Sequence, residues 1–330
     1  MNILGIETSC DETAIAVVAD GRRVLSNVVA SQVALHARYG GVVPELASRQ
    51  HIEAMIPVLD EALERAHCGL TQIDAIAVTF GPGLAGALLT GVNFAKALAY
   101  SRSLPLVPVN HLEGHIYAAW LDSEEAPQFP SLALIVSGGH SDVVLVEGHG
   151  RYRRLGETVD DAAGEAFDKV ARVLGLGFPG GPAIDELVRA SGKQASLRLP
   201  RARLDRPYDF SFSGLKTKVL RVARGDEGEP PETAEIAAAF QESVVDSLVT
   251  KTVQAARDHE AQQIILGGGV AANSLLRASL AERSHVPVVV PAPALCTDNG
   301  AMIAACGYHR LQAGDIAPLD LDIQPGLRIG

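Results

Sequence analysis

The sequence has no CxxC pair. Its four cysteines, Cys10, Cys68, Cys296 and Cys306, are scattered and suggest no disulfide framework. It has no uninterrupted apolar run long enough to span a bilayer, and its start, MNILGIETSCDET, has no basic region followed by an apolar one. A cytoplasmic protein without a membrane segment is expected. Positive charge is in deficit: 28 Lys and Arg stand against 39 Asp and Glu, a formal net charge of -11. That excludes a generic nucleic-acid coat but not a local basic patch. There is no GxxxxGK[ST], so this is not a P-loop protein, and GPGLAG misses the GxGxxG spacing. There is also no HExxH. In NHLEGHIYAAW, residues 110–120, Glu113 lies two residues from each of His111 and His115. On a helix it points away from both and cannot serve a metal-bound water as a metalloprotease requires.

What is present is a large α/β chain. Its 330 residues are 47% hydrophobic, enough for a sizeable core and comfortable for two domains. NILGIETSCDETAIAVVAD reads as strand, polar turn, strand, and GRRVLSNVVAS as a third strand. Residues 44–66 read as a helix with Pro44 near its start and Pro57 as a site of bending. IDAIAVTF is a buried strand that runs through a glycine loop into the helix of GPGLAGALLTGVNFAKALAYSRS. After the stretch DSEEAPQFP the plan starts again: LALIVSGGHSDVVLVEG is strand, turn, strand, and EAQQIILGGGVAANSLLRASLAERS is strand, glycine loop, helix. Two halves on one plan predict a duplicated domain; two unrelated α/β domains are the alternative.

Three turns are candidates for anion binding. GIETSCDET and VSGGHSD are rich in backbone N–H groups and hydroxyls that can converge on a phosphate. GGGVAANSLLR opens a helix, where a phosphate or adenosine is well placed. The plainer reading is three tight turns. Asp168, on a helix, either holds ribose hydroxyls or pairs with Lys169 or Arg172 on a solvated face. GFPGGP is a break that brings Gly180 and Gly181 beside a second helix carrying Asp185. His111 and His115 are four apart, so a helix puts both imidazoles on one face, close enough to share a cation. A satisfied histidine pair is the alternative. Asp298, heading the late helix of DNGAMIAACGYHRLQAG, is the candidate third ligand, or else that helix's cap. Two nitrogens and one carboxylate would leave positions open for a substrate.

GIETSCDET, FGPGLAGALLTG, HLEGH, LIVSGGHS, DDAAGEAFDK, GFPGGPAID, FSFSGLKT, GGGVAANSLLR and CTDNGAMIA run in order from residue 3 to about 305. Together they resemble the motif series of the tRNA N6-threonylcarbamoyladenosine transferases, the TsaD family, also called Gcp and formerly labelled O-sialoglycoprotein endopeptidases. The resemblance implies a duplicated two-domain actin-like, sugar-kinase-like and Hsp70-like (ASKHA) fold with an interdomain cleft. Residues 1–121 would form the first half, 122–130 a connector and 131–298 the second half, with about 299–325 packing back on the first. The implied reaction moves a threonylcarbamoyl group from threonylcarbamoyl-AMP to N6 of adenosine 37 in tRNAs reading adenine-first codons, releasing AMP. Implied metal ligands are His111, His115 and Asp298, with Fe2+ favoured and Zn2+ second. Implied adenylate contacts are Ser9 in the first turn, Ile135, Val136, Ser137, Gly138, Gly139, Asp168, Gly181, Asp185 and Asn273. Asp11 or Glu12 would take the proton of the attacking amine. Asn110 departs from the histidine common in the family, which leaves any role of that side chain open. The implied partners are tRNA, a TsaB-like paralogue and a TsaE-like ATPase. Basic clusters at 151–154, 197–206 and 214–224 could meet tRNA phosphates. A small-molecule kinase of the same superfamily is the competing function.

Overall fold

The protein is described from a computed structural model covering residues 1–123, 126–195, 197–226 and 228–330. The chain forms two compact units, residues 1–127 with 291–330, and residues 128–290. In the first, β1 (Asn2–Glu7), β2 (Glu12–Ala19) and β3 (Arg23–Ser31) form an antiparallel meander. Then come α1 (Val33–Ala37), α2 (Pro44–Arg65), β4 (Ala75–Gly81), α3 (Ala85–Arg102), β5 (Leu106–Asn110) and α4 (His111–Ala118). β4 joins β1 in parallel and β5 joins β4, giving the order β3-β2-β1-β4-β5.

The second unit repeats this plan. β6 (Ser131–Val136), β7 (Ser141–Gly148) and β8 (Arg151–Gly156) are an antiparallel meander. They are followed by α5 (Ala163–Val173), α6 (Gly180–Ser191), α7 (Ser213–Arg224), α8 (Thr233–Asp258), β9 (Gln263–Gly267), α9 (Ser274–Arg283) and β10 (Val288–Val289). β9 pairs in parallel with β6, and β10 with β9, so the order β8-β7-β6-β9-β10 reproduces that of the first unit. The duplication expected from the strand–turn–strand patterns is present. The chain then returns to the first unit with α10 (Pro293–Cys296) and α11 (Gly300–Gln312). The expected connector at 122–130 includes residues 124 and 125, which lie outside the described ones.

β1 and β4 are buried along nearly their whole length because each is paired on both edges and covered by helices. Pro44 opens α2, where its missing N–H costs nothing, and Pro57 sits inside α2 without ending it. α11 lies directly on the sheet. A Cβ on Gly5 would come within 2.2 Å of the Gly300 carbonyl oxygen, so only glycine admits the helix this closely. That approach sets the start of α11, and with it Asp298, against the strand that leads to the first turn.

Candidate functional site

The NHLEGH segment folds as the end of β5 and the start of α4. Asn110 is the N-cap: its side-chain oxygen accepts from Leu112 N at 2.9 Å, and its amide donates to the Arg328 carbonyl at 3.2 Å. Asn110 thus starts the helix that carries both histidines and ties it to the C-terminal segment. Asn110→Ala should cost about 1 kcal/mol of stability from the lost cap, read as a lower urea midpoint at unchanged m-value.

Helix geometry places the His111 and His115 rings edge to face, with centroids 4.7 Å apart. Asp298 Oδ1 lies 3.3 Å from His115 Nε2 and 3.6 Å from His111 Nε2. The three donor atoms all fall within 4.8 Å of one another. Bonds of about 2.1 Å at a tetrahedral angle put ligand atoms about 3.4 Å apart, so the spacing suits one cation. A second observation agrees. His115 is fully buried, its Nδ1 has no hydrogen-bond partner among the described residues, and its Nε2 faces the Asp298 carboxylate. Burial lowers its pKa, which favours the neutral, ligating form. Asp298 does not cap α11. Asn299, one residue on, accepts from Met302 N at 2.9 Å, and the Asp298 carboxylate meets the histidines instead.

Glu113 faces away from the pair, as its spacing requires. It receives Arg310 of α11 at 2.9 Å on both oxygens, joining α4 to α11 beneath the site. The structure also brings in Glu7, which lies in GIETSCDET without any local sign of a link to the histidines. Its Oε2 lies 3.0 Å from His111 Nδ1 and accepts from Thr79 Oγ1 at 2.6 Å, while Oε1 accepts from Ser9 N. Burial works to raise the Glu7 pKa, but His111 overcomes it and holds the carboxylate ionised. Burial alone would lower the His111 pKa; the Asp298 and Glu7 carboxylates instead bring it to about 9.

The first turn is held by hydrogen bonds along its backbone. The carbonyls of Ser9, Cys10 and Asp11 accept from Leu84 N at 2.8 Å, His51 Nε2 at 3.0 Å and Gln32 N at 3.0 Å. Ser9 Oγ lies 3.2 Å from His111 Nδ1. Burial, then Asp11 and Asp298, push the Cys10 thiol far up, which makes it a poor nucleophile. Burial, then Asp298 and Asp11, raise Glu12 to about 9 from 4.5. The folded metal-free protein therefore keeps a proton on Glu12 that the unfolded chain sheds. Its stability should fall as pH rises from about 4.5 towards about 9. Glu12→Gln should remove most of the fall below about pH 6.5, checked by melting temperature in chelator.

The candidate adenylate residues all lie in the second unit except Ser9. Ile135 and Val136 are buried at the end of β6, and Ser137–Gly139 form the turn to β7. Space is open where a Cβ of Gly138, Gly139 or Gly181 would stand. Gly268, at φ 89°, passes so close to the Val136 carbonyl oxygen that a Cβ would meet it at 2.3 Å. The third glycine loop is thereby seated on the strand that leads into the 137–139 turn. Asp168 accepts from Gly180 N at 2.7 Å, fixing the entry to α6, whose first turn contains Gly180 and Gly181 themselves. Asn273 caps α9 and donates to Asp185 at 3.3 Å and to Gln241 of α8 at 3.2 Å. Gln241 has no motif around it and is visible only in the fold.

Each basic cluster contains a charge-paired residue. Arg154 meets Glu157 at 2.7 Å, Arg201 meets Asp246 at 3.0 Å and Lys216 meets Asp161 at 2.9 Å. No helix among the described residues is long and apolar enough to cross a membrane.

A doubled β-sheet of this order, with a two-histidine, one-carboxylate centre, defines a metal-dependent protein of the actin-like, sugar-kinase-like and Hsp70-like fold class. The fold is shared with component A of the (R)-2-hydroxyglutaryl-CoA dehydratase of Acidaminococcus fermentans, at a TM-score of 0.55 and 16% identity over 94% of this chain and 99% of that one. The chain belongs to the TsaD family, tRNA N6-adenosine threonylcarbamoyltransferase, whose pattern it matches over residues 23–305. A tRNA N6-adenosine threonylcarbamoyltransferase of Dehalococcoides mccartyi (strain BAV1) is 58% identical over 330 residues, covering 100% of this chain and 99% of that protein. The one of Bacillus subtilis (strain 168) is 51% identical over 336 residues, covering 100% and 96%.

Proposed function

We propose that the protein transfers the threonylcarbamoyl group of threonylcarbamoyl-AMP to N6 of adenosine 37 in tRNAs reading adenine-first codons, with AMP as leaving group. The observation that carries this is the convergence of His111, His115 and Asp298 on one point in a chain that matches the transferase family over residues 23–305. Two imidazoles and one carboxylate suit iron(II) and zinc(II) alike; the family resemblance favours iron(II), with zinc(II) the alternative. When bound, the cation would supply charge stabilisation on carbamate or phosphate oxygens.

The chain's own groups account for the rest. The open backbone of Ser137–Gly139 suits the phosphoryl oxygens. Asp168, Gly181, Asp185 and Asn273 are the residues assigned to the nucleoside, and the Asn273–Asp185 contact supports their acting together. The exocyclic amine of adenine is a weak nucleophile and must lose a proton as the new C–N bond forms. Asp11 and Glu12, both in the first turn, are the candidate acceptors. Exposed ion pairs such as Arg201–Asp246 contribute little to stability, so tRNA phosphates can exchange for the acidic partners.

A protein partner is supported by exposed Ile52, Ile56 and Leu89, which line an apolar groove of about 470 Å³ between α2 and α3. A TsaB-like paralogue and a TsaE-like ATPase are the proposed partners, and the cytoplasm the proposed compartment. The test is reconstitution with these partners, an adenylate-forming enzyme, ATP, threonine, bicarbonate and unmodified tRNA. Threonylcarbamoyladenosine in the digested tRNA is the expected product. Phosphate transfer to a small hydroxyl compound, without tRNA modification, would favour the kinase reading.

A further inference from the structure

Of the groups around the histidine pair, Glu7 has the least obvious reason to be where it is. It ends β1, is fully buried, and is 104 residues from His111 in sequence. A buried carboxylate needs donors, and Glu7 has three: Thr79 Oγ1, Ser9 N and His111 Nδ1. Two of these are a hydroxyl and an amide that carry their hydrogens in every state. The third is an imidazole nitrogen, and it satisfies Glu7 only when it bears the hydrogen. The neutral ring has a single N–H. If Glu7 holds it on Nδ1, the lone pair is on Nε2, the atom 3.6 Å from Asp298 Oδ1. The other candidate partner of Nδ1, Ser9 Oγ at 3.2 Å, is a neutral hydroxyl and a weaker acceptor than the carboxylate at 3.0 Å. Were the hydrogen on Nε2 instead, it would point at the cation and Glu7 would lose a donor.

We propose that Glu7 is a positioning residue of the cation site: its carboxylate takes the Nδ1–H of His111 and so fixes the tautomer that turns the Nε2 lone pair towards the cation. Charge supports the same role. Two neutral imidazoles and Asp298 bring one negative charge to a divalent ion, and Glu7 brings the second through His111. Thr79 is the outermost member, orienting the oxygen of Glu7 that His111 uses. Such partners of a ligating histidine raise its basicity and hold its ring in place.

The role rests on the reading of His111, His115 and Asp298 as a cation site, and zinc(II) alone tests the two separately. Zinc(II) is titrated into the metal-free full-length chain against a chromophoric chelator, for wild type, Glu7→Gln and Thr79→Val. Nitrogen-15 and proton spectra of the His111 ring are recorded in the loaded proteins. Glu7→Gln should weaken zinc binding by about tenfold to a hundredfold and move the Nδ1 proton signal away from its carboxylate-bonded position. Thr79→Val, which leaves the carboxylate in place, should weaken binding by a smaller factor and shift the same signal less. If Glu7 only shaped the first turn through Ser9 N, both the affinity and the His111 signal would stay at wild-type values, and the proposal would be overturned. Should Glu7→Gln fail to fold, as judged by its melting curve, Thr79→Val decides: wild-type affinity with an unmoved signal overturns the role. Wild-type protein that took up no zinc(II) would sink the cation site itself. Wild-type binding with a Glu7→Gln variant indistinguishable from it would sink only the part assigned to Glu7.

Discussion

His111→Ala is expected to lower the rate of threonylcarbamoyl transfer at least about a hundredfold, equivalent to about 3 kcal/mol of lost transition-state stabilisation, and to release the cation. One of three protein ligands disappears, and so does the link from Glu7 to the site. The fold should persist, because the remaining contacts between α4 and α11, including Glu113 with Arg310, do not involve the imidazole. The check is a set of paired measurements: bound metal by elemental analysis, helicity by circular dichroism, and nucleoside analysis of the tRNA. A folded, metal-free variant with full activity would move the chemistry to another subunit.

The second large effect is on pH. In the metal-free protein His111 carries a proton up to about 9, held there by Asp298 and Glu7 against the effect of burial. A cation bound at Nε2 must displace that proton. Affinity should therefore rise about tenfold per pH unit, or about a hundredfold from pH 6 to pH 8, and level off above about pH 9. The sign for stability is opposite. A folded pKa raised from 6.5 to about 9 contributes stability that is fully present below 6.5 and lost as pH rises through 9. In chelator the protein should lose stability across that window, and saturating cation should reverse the trend by binding the deprotonated form. Isothermal titration in two buffers of different ionisation enthalpy would count the released proton directly. Affinity independent of pH would show that no proton leaves His111 when the cation binds.

The parts of the site legible in the sequence were those with a local period or a run of special residues. His111 and His115 declare themselves by their spacing, and the repeated strand–turn–strand segments foreshadow the doubled sheet order. Glu113 reads as turned away from the pair, and it is. What receives it, Arg310, lies 197 residues on and is fixed only when α11 packs against α4. Glu7 was hidden for the same reason: nothing in GIETSCDET distinguishes a carboxylate that caps a turn from one that grips a histidine in another element. Whether Asp298 caps α11 or serves the site was also closed, since an Asp at a helix start can do either and only the backbone at 297–300 decides. Gln241 joins Asn273 from the middle of a long helix whose sequence carries no site signal. For Arg310, Glu7 and Gln241 the missing information was a tertiary contact between segments far apart in the chain.

The most direct measurement is a single turnover from preformed threonylcarbamoyl-AMP to unmodified tRNA, with partners present and the adenylate-forming enzyme left out. Cation-loaded wild type should form threonylcarbamoyladenosine and release AMP in equal amounts. The chelated protein and His111→Ala should do neither at a comparable rate, and returning the cation should restore only the wild type. Equal turnover by all three would contradict the assignment of the transfer to the His111, His115 and Asp298 centre.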